Sequence, residues 1–230
     1  GQFLAIPNQK VLIATSQSSL VRAEELQRDT LADHQVGLLP IIGADPTVVS
    51  VQVITDGIAA ESPNWIIAMG GGSVLDTAKA AAVAATNGGD VESLVRGTHQ
   101  IDHPGIPLIA IPTTSGSGSE VTPYASITDA NESKKISLNH DFLFPKFALL
   151  DPSLTLSLSH RQTAISGMDA LCHAIEGYWS NRATPATDAL ALSAARLLRD
   201  QLPETHRAPE NLNARRQTME GSMLAGLTIS

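Results

Sequence analysis

The sequence predicts a parallel α/β domain followed by the start of an all-helical domain, and three observations carry that expectation. Short β-branched apolar runs alternate with helix-length segments through the first half of the chain. Two loops rich in Gly and hydroxyl residues, 70–73 and 113–119, follow directly on two of those runs. From His160 onward the strand-like runs give way to helical patterning. A βαβαβ alternation implies a parallel sheet with helices on both faces. The change of character puts the expected boundary near Leu158, giving domains 1–158 and 159–230.

Residues 10–15 (KVLIAT) read as the first strand, and residues 18–31 as a helix through Leu20, Leu26 and Leu31. Residues 36–42 are a second strand. Residues 47–60, opened by Asp45-Pro46, are a second helix with Pro in its first turn. The run 65–69 (WIIAM) is a third strand leading through Gly70-Gly71-Gly72-Ser73 into a helix over 74–85, with Ser73 at the cap position. An exposed loop through Gly88-Gly89, Gly97 and His103-Pro104-Gly105 precedes a fourth strand at 108–111. Shorter strands are expected over 125–151, then helices at 161–180, 185–202 and 208–227.

The chain has 230 residues, 43% of them hydrophobic, enough to bury a substantial core. With 15 basic and 23 acidic residues the net charge is −8, which disfavours nucleic acid and anionic membranes as partners. The single cysteine, Cys172, has no internal partner for a disulfide, and no apolar run approaches the ~18 residues of a spanning helix. A reducing cytoplasm is expected. Gly1 stands where a Met would open a chain, with no signal-peptide pattern, and reads as a processed or trimmed start. The final MEGSMLAGLTIS reads as a helix without a capping exit, so the natural protein is expected to continue.

A glycine triplet between a buried strand and a helix lets a ligand approach the backbone and gathers the N–H groups of the first helical turn, an arrangement that attracts phosphate. By spacing alone it suits either an ordinary α/β turn or such a cradle. It is neither the dinucleotide fingerprint nor a Walker A loop. The second loop holds Thr113, Thr114, Ser115, Ser117 and Ser119 at the end of another strand. Carboxyl ends of parallel strands line the ligand crevice, so both loops are expected to face one bound molecule. A polar surface loop is the alternative.

Asp169 and His173 lie four residues apart on an expected helix, on one face and about 6 Å apart. By spacing alone this is either a helix-surface pair or two ligands of one divalent ion. A catalytic metal site has at least three protein ligands. Among His34, His99, His103, His140, His160 and His206 only His99 and His103 repeat that spacing, and they fall in the expected exposed loop, so the chain supplies half a site.

Together GGGSVLDTAK (70–79), IPTTSGSGSEVT (111–122) and GMDALCHAIEGY (167–178) resemble the iron-containing, or group III, alcohol dehydrogenase family. ALLDPSLT (148–155) and ATPATDALAL (183–192) fall in the expected order. The resemblance implies a Rossmann-like dinucleotide-binding domain, a metal-binding helical domain, and hydride transfer between an alcohol and an aldehyde or ketone. It implies that Gly71, Gly72 and Ser73 hold the cofactor pyrophosphate and that Thr113, Thr114 and Ser117 contact its phosphates and nicotinamide side. It further implies that Lys135 touches the cofactor and that Leu154 and Leu158 bound the stretch closing over it. Asp169 and His173 match the first two ligands of an Asp-His-His-His site holding Fe²⁺, or Zn²⁺, as the catalytic centre. The two later histidines have no counterpart before Ser230. Where the family commonly has an acidic residue after the first strand, this sequence has Ser16, which makes NADP as acceptable as NAD. The expected partner is a small alcohol or aldehyde, and the expected assembly a homodimer.

Glycerol or polyol dehydrogenases and dehydroquinate-synthase-like enzymes share the fold, but the Ser after the triplet and the TTSGSGSE loop favour alcohol dehydrogenases. Asp169 and His173 argue against a metal-free maleylacetate-reductase-like enzyme. The remaining alternative is a non-catalytic nucleotide-binding fragment or oligomerisation module.

Overall fold

The computed structural model describes residues 8–43, 45–130 and 134–230, and the expectation for the opening residues 1–7 lies outside them. The strands are β1 (Lys10–Ser16), β2 (Gln35–Ile41), β3 (Trp65–Gly70), β4 (Leu108–Pro112), β5 (Tyr124–Asp129), β6 (Lys134–Asn139) and β7 (Phe147–Ala148). The helices are α1 (Leu20–Asp29), α2 (Val48–Glu61), α3 (Gly72–Ala84), α4 (Val91–Val95), α5 (His160–Trp179), α6 (Pro185–Arg207) and α7 (Leu212–Thr228). They pack as two compact units, Gly1–Ile111 with Pro123–Phe147, and Pro112–Thr122 with Ala148–Ser230.

In the first unit five strands form one sheet in the order β2-β1-β3-β4-β7. β1 pairs in parallel with both β2 and β3, so that Ile13 lies opposite Leu38 and Ile67. A strand with neighbours on both edges reads as a continuous apolar run rather than an alternation, and Val11 to Ala14 are all buried. Ile54 and Ile58 of α2 and Leu75, Ala78 and Ala82 of α3 pack with Leu12, Ile66 and Ala110 in the main core. β5 and β6 form an antiparallel ribbon with Ile127 opposite Ile136. Two side chains tie β5 to the rest of the unit: Asp76 on α3 accepts from the Ser126 N–H at 3.0 Å, and Arg96 after α4 pairs with the buried Asp129 at 2.8 Å.

Several expectations are corrected here. α3 begins at Gly72 with Gly71 as its cap, so Ser73 lies inside the first turn and does not cap it. A cap needs extended backbone before the helix, and Gly71 supplies it with φ −74° and ψ 179°. In α2 the cap is Thr47, which forms a reciprocal capping box with Ser50, and Pro46 stands before the cap, outside the first turn. The glycine-punctuated loop after α3 contains α4, whose Val91, Leu94 and Val95 are buried; five residues are too short to show a helical period. The expected run of short strands is one ribbon plus the two-residue β7.

In the second unit α5, α6 and α7 meet through small residues, with Ala174, Ala194 and Ala225 at one core. Gly167 on α5 lies under Leu202, and Gly221 on α7 under Leu198, each too close for a Cβ without displacement. Arg215 is 2% exposed. Its Nε donates to the Pro209 carbonyl at 2.9 Å and its Nη1 to Thr163 Oγ1 at 3.0 Å, and burial pulls its guanidinium below the usual arginine range. The sequence reading stopped α6 at Leu202, before Pro203, but the helix continues to Arg207. Pro removes one N–H and costs about 3 kcal/mol in a helix interior. The buried Leu202 and Thr205, with Thr205 Oγ1 2.8 Å from Thr218 Oγ1 on α7, outweigh that cost. α7 begins at Leu212, capped by Asn211, rather than at Ala208. Among the described residues no helix is long and apolar enough to cross a membrane.

Candidate cofactor and metal site

In the first unit the cofactor candidates cluster at the carboxyl ends of adjacent strands. Thr15 on β1 is fully buried and donates its hydroxyl to the Met69 carbonyl of β3 at 2.9 Å, holding the two strand ends together. Ser16 follows at the end of β1, its Oγ 2.9 Å from Ser18 Oγ and 3.3 Å from Ser19 Oγ. β3 ends at Gly70, where a Cβ would come within 2.6 Å of the Val74 side chain, so α3 can turn back onto its own strand only over a glycine. Val74 and Leu75 donate their N–H groups to the Gly71 carbonyl at 2.9 and 3.2 Å. The N–H groups of Gly72 and Ser73, at the start of the helix, have no carbonyl within the helix to reach. The cap Gly71 and the residues Gly72 and Ser73 are half-buried.

Lys135 sits on β6 opposite Thr128, largely exposed, 3.8 Å from Asp45. Sequence reasoning left Asp76 and Lys79 of the triplet motif without a role. Asp76 carries the ribbon through Ser126, and Lys79 is 1% exposed, 4.0 Å from Asp76. These two motif residues build the scaffold behind the triplet.

The second unit holds the remaining candidates. The loop 113–119 leaves β4 and packs by its glycines: a Cβ on Gly116 would stand 2.8 Å from Ser166 Cβ of α5, and one on Gly118 2.6 Å from Gly226 Cα of α7. Gly118 has φ +65°, the left-handed region that glycine occupies without penalty. Thr113, Thr114 and Ser117 are half-buried, and Ser117 Oγ accepts from the Ser119 N–H at 3.3 Å. Leu154 lies in the 3-10 turn Pro152–Thr155, capped by Asp151, and Leu158 follows it; both are half-buried.

Ser159 caps α5, and His160 is its first residue. Two turns on, Asp169 and His173 project from one side, with His173 Nε2 3.8 Å from Asp169 Oδ1. That separation exceeds hydrogen-bond reach, so the carboxylate and the imidazole do not satisfy each other. The donor types suit a borderline divalent cation, and an oxygen and a nitrogen one helical turn apart can share one. They fit as two members of a donor set. Among the described residues no group of three or more His, Cys, Asp or Glu is placed to hold a metal. His173 Nδ1 is buried without a hydrogen-bond partner. Cys172, next to it, is an exposed free thiol.

The family model for iron-containing alcohol dehydrogenases matches residues 1–152, and the model for the C-terminal part of the same family matches residues 163–230. The chain belongs to the iron-containing alcohol dehydrogenase family. Within that family it is 35% identical over 199 residues to the NAD-dependent methanol dehydrogenase of Bacillus methanolicus, covering 86% of this chain and 52% of the relative. It is 43% identical over 166 residues to long-chain-alcohol dehydrogenase 1 of Geobacillus thermodenitrificans, covering 71% and 42%. The solved structure of sulfoacetaldehyde reductase from Bifidobacterium kashiwanohense in complex with NAD+ superimposes with a TM-score of 0.89 at 32% identity, over 96% of this chain and 59% of that one. The chain thus spans about half the length of the curated relatives it matches.

Proposed function

We propose that this chain is the cofactor-binding part and the beginning of the metal-binding part of an NAD(P)-dependent oxidoreductase that interconverts a small alcohol with its aldehyde or ketone. The observation that carries the reading is the Asp169–His173 pair, a carboxylate and an imidazole on one face of α5 that are not hydrogen-bonded to each other, within the stretch matched by the family's C-terminal model. The methanol and long-chain-alcohol dehydrogenases support the substrate class, and the NAD+ complex of the sulfoacetaldehyde reductase supports the cofactor class.

In this reading residues 1–158 bind nucleotide and residues 159–230 begin the metal domain. The backbone N–H groups of Gly72 and Ser73, with Gly71 keeping the approach clear of side chains, bind the pyrophosphate. Ser16 faces the adenosine ribose and Lys135 offers its ammonium to the phosphates. Thr113, Thr114 and Ser117 present hydroxyls toward the phosphates and nicotinamide, and the stretch from Leu154 to Leu158 excludes water from that end. Asp169 and His173 would hold Fe²⁺, or Zn²⁺, which would supply Lewis acidity toward the substrate oxygen for hydride exchange with the nicotinamide. The acidic net charge, the lone cysteine and the absence of a membrane-length helix among the described residues support a cytoplasmic enzyme without nucleic-acid or membrane partners. A homodimer is the proposed assembly.

The test joins the second half of the B. methanolicus relative after Ser230, loads the hybrid anaerobically with Fe²⁺ or Zn²⁺, and follows NAD(P)H formation from a series of primary alcohols. Activity that falls at least about a hundredfold in both Asp169→Asn and His173→Ala is the expected result, in line with losing a ligand of a catalytic metal. A hybrid equally active without either side chain overturns the metal reading.

A further inference from the structure

We propose that Gly116, Gly118 and Gly226 are positioning residues. Their contacts, made without a Cβ, clamp the hydroxyl loop onto the metal-donor helix, so that the nicotinamide end of the cofactor and the Asp169–His173 pair keep one fixed spacing. The inference rests on the proposed function for the roles of the loop and of the two donors.

Three contacts close a ring inside the second unit. At the first, Gly116 lies against Ser166 of α5, where a Cβ would stand 2.8 Å from Ser166 Cβ, 2.9 Å from its carbonyl oxygen and 3.0 Å from its Cα. Ser166 does not yield easily, because its hydroxyl donates to the Gln162 carbonyl at 2.8 Å within the helix. It precedes Asp169 by three residues, a rise of about 4.5 Å along α5. At the second, Gly118 and Gly226 meet backbone to backbone: a Cβ on Gly226 would stand 2.8 Å from Gly118 Cα, 3.1 Å from its carbonyl oxygen and 2.9 Å from Val121 Cγ2. At the third, the last turn of α7 returns to α5, where Thr228 fills the space over Gly177 and its Oγ1 lies 3.5 Å from the His173 carbonyl oxygen. Ser230 Oγ then donates to the Val121 carbonyl at 3.0 Å, joining the end of α7 to the loop again.

None of these contacts runs through a long side chain that could change rotamer and absorb a shift. Hydride transfer requires a near-attack distance, and a displacement of about 1 Å costs about a hundredfold in rate. A loop held through backbone contacts to the helix carrying the metal donors meets that requirement. Close packing alone would need small residues somewhere in the bundle, as at Gly167 and Gly221. It would not need them at both places where the hydroxyl loop touches α5 and α7.

Gly226→Ala is the discriminating variant. Ala is favoured over Gly in a helix, so the substitution does not weaken α7 itself while driving a methyl group into the loop. The readout is the imidazole NMR signal of His173 in the 230-residue chain, recorded with and without saturating NADH or NADPH, beside nucleotide affinity by calorimetry. Nucleotide is expected to shift the His173 signal in the wild type. In Gly226→Ala that shift is expected to disappear, with affinity lowered by the displaced hydroxyls but still measurable because the contacts of Gly72 and Ser73 with the pyrophosphate are untouched. Gly116→Ala probes the contact with α5 independently and is expected to behave the same way. A folded Gly226→Ala or Gly116→Ala protein that binds nucleotide and shifts His173 as the wild type does overturns the positioning role. A wild type that binds neither nucleotide fails earlier and refutes the cofactor reading itself, so the two failures are told apart.

Discussion

At the scale of single residues, the two glycines that follow each other at the end of β3 and the start of α3 have different reasons to be there. Gly70 is dictated by the protein, since any side chain would meet Val74. Gly71 has the ordinary extended φ of −74°, open to any residue, so backbone conformation does not account for it; the proposed pyrophosphate site would, by needing close approach to the backbone. Ser16 makes the complementary case, in which chemistry rather than space decides. Its hydroxyl lies among those of Ser18 and Ser19, a neutral polar group where, in the proposed cofactor site, a carboxylate would repel a 2′-phosphate. NADP is therefore expected to be bound at least as well as NAD, and Ser16→Asp to shift the ratio of affinities toward NAD by about tenfold or more, as one unit charge at close range does. Calorimetric titration of both variants with both nucleotides checks this; a wild type that strongly prefers NAD contradicts the reading of Ser16. The triplet and the Asp-x-x-x-His spacing were legible in sequence because each is a fixed local pattern. The capping role given to Ser73 was misjudged because Gly71 already supplies the extended backbone, a distinction of two residues that composition does not register.

At the scale of elements, legibility followed length and burial. The strands buried on both sides and the three long helices announced themselves by apolar runs and helical period. α4 did not, since five residues hold little more than one turn. It depends instead on tertiary burial of Val91, Leu94 and Val95 and on its cap, Asp90, which accepts from both the Ser93 hydroxyl and the Ser93 N–H. Those two bonds, the hydroxyl first, favour the ionised carboxylate and hold its pKa below the usual aspartate value. A depressed folded pKa gives a stabilisation that is present above the unfolded value, about 3.9, and is lost as the pH falls through the folded one. The amide shift of Ser93 is accordingly expected to titrate with Asp90 at a midpoint below that of a free aspartate, and the titration to vanish in Asp90→Asn. An unshifted midpoint in the NMR titration would show that the cap does not favour the carboxylate. The extension of α6 through Pro203 was illegible for the opposite reason: the local signal was clear, and packing of Leu202 and Thr205 overrode it.

At the scale of the molecule, the order of residues along the chain and their grouping by packing differ in one consequential place. The hydroxyl loop leaves a strand of the sheet, yet Pro112–Thr122 packs as part of the helical unit, through Gly116 on α5 and Gly118 on α7. A strand-to-loop pattern says where such a segment starts and not what it leans on, because the partners Ser166 and Gly226 lie far along the chain. The proposed metal donors raise a question at the same scale. Asp169 and His173 share a helix face, but catalytic metal sites are built from at least three protein ligands, and no such group exists among the described residues. With most coordination positions left to water, the 230-residue chain is expected to bind Fe²⁺ or Zn²⁺ weakly and to lose it on dialysis against a chelator. Tight retention is expected to return only in the hybrid that continues, after Ser230, with the second half of a relative. Elemental analysis of the two proteins after the same dialysis decides the matter. Stoichiometric, chelator-resistant metal in the 230-residue chain would mean that donors other than Asp169 and His173 complete the site within it, and the two-donor share assigned to α5 would have to be abandoned.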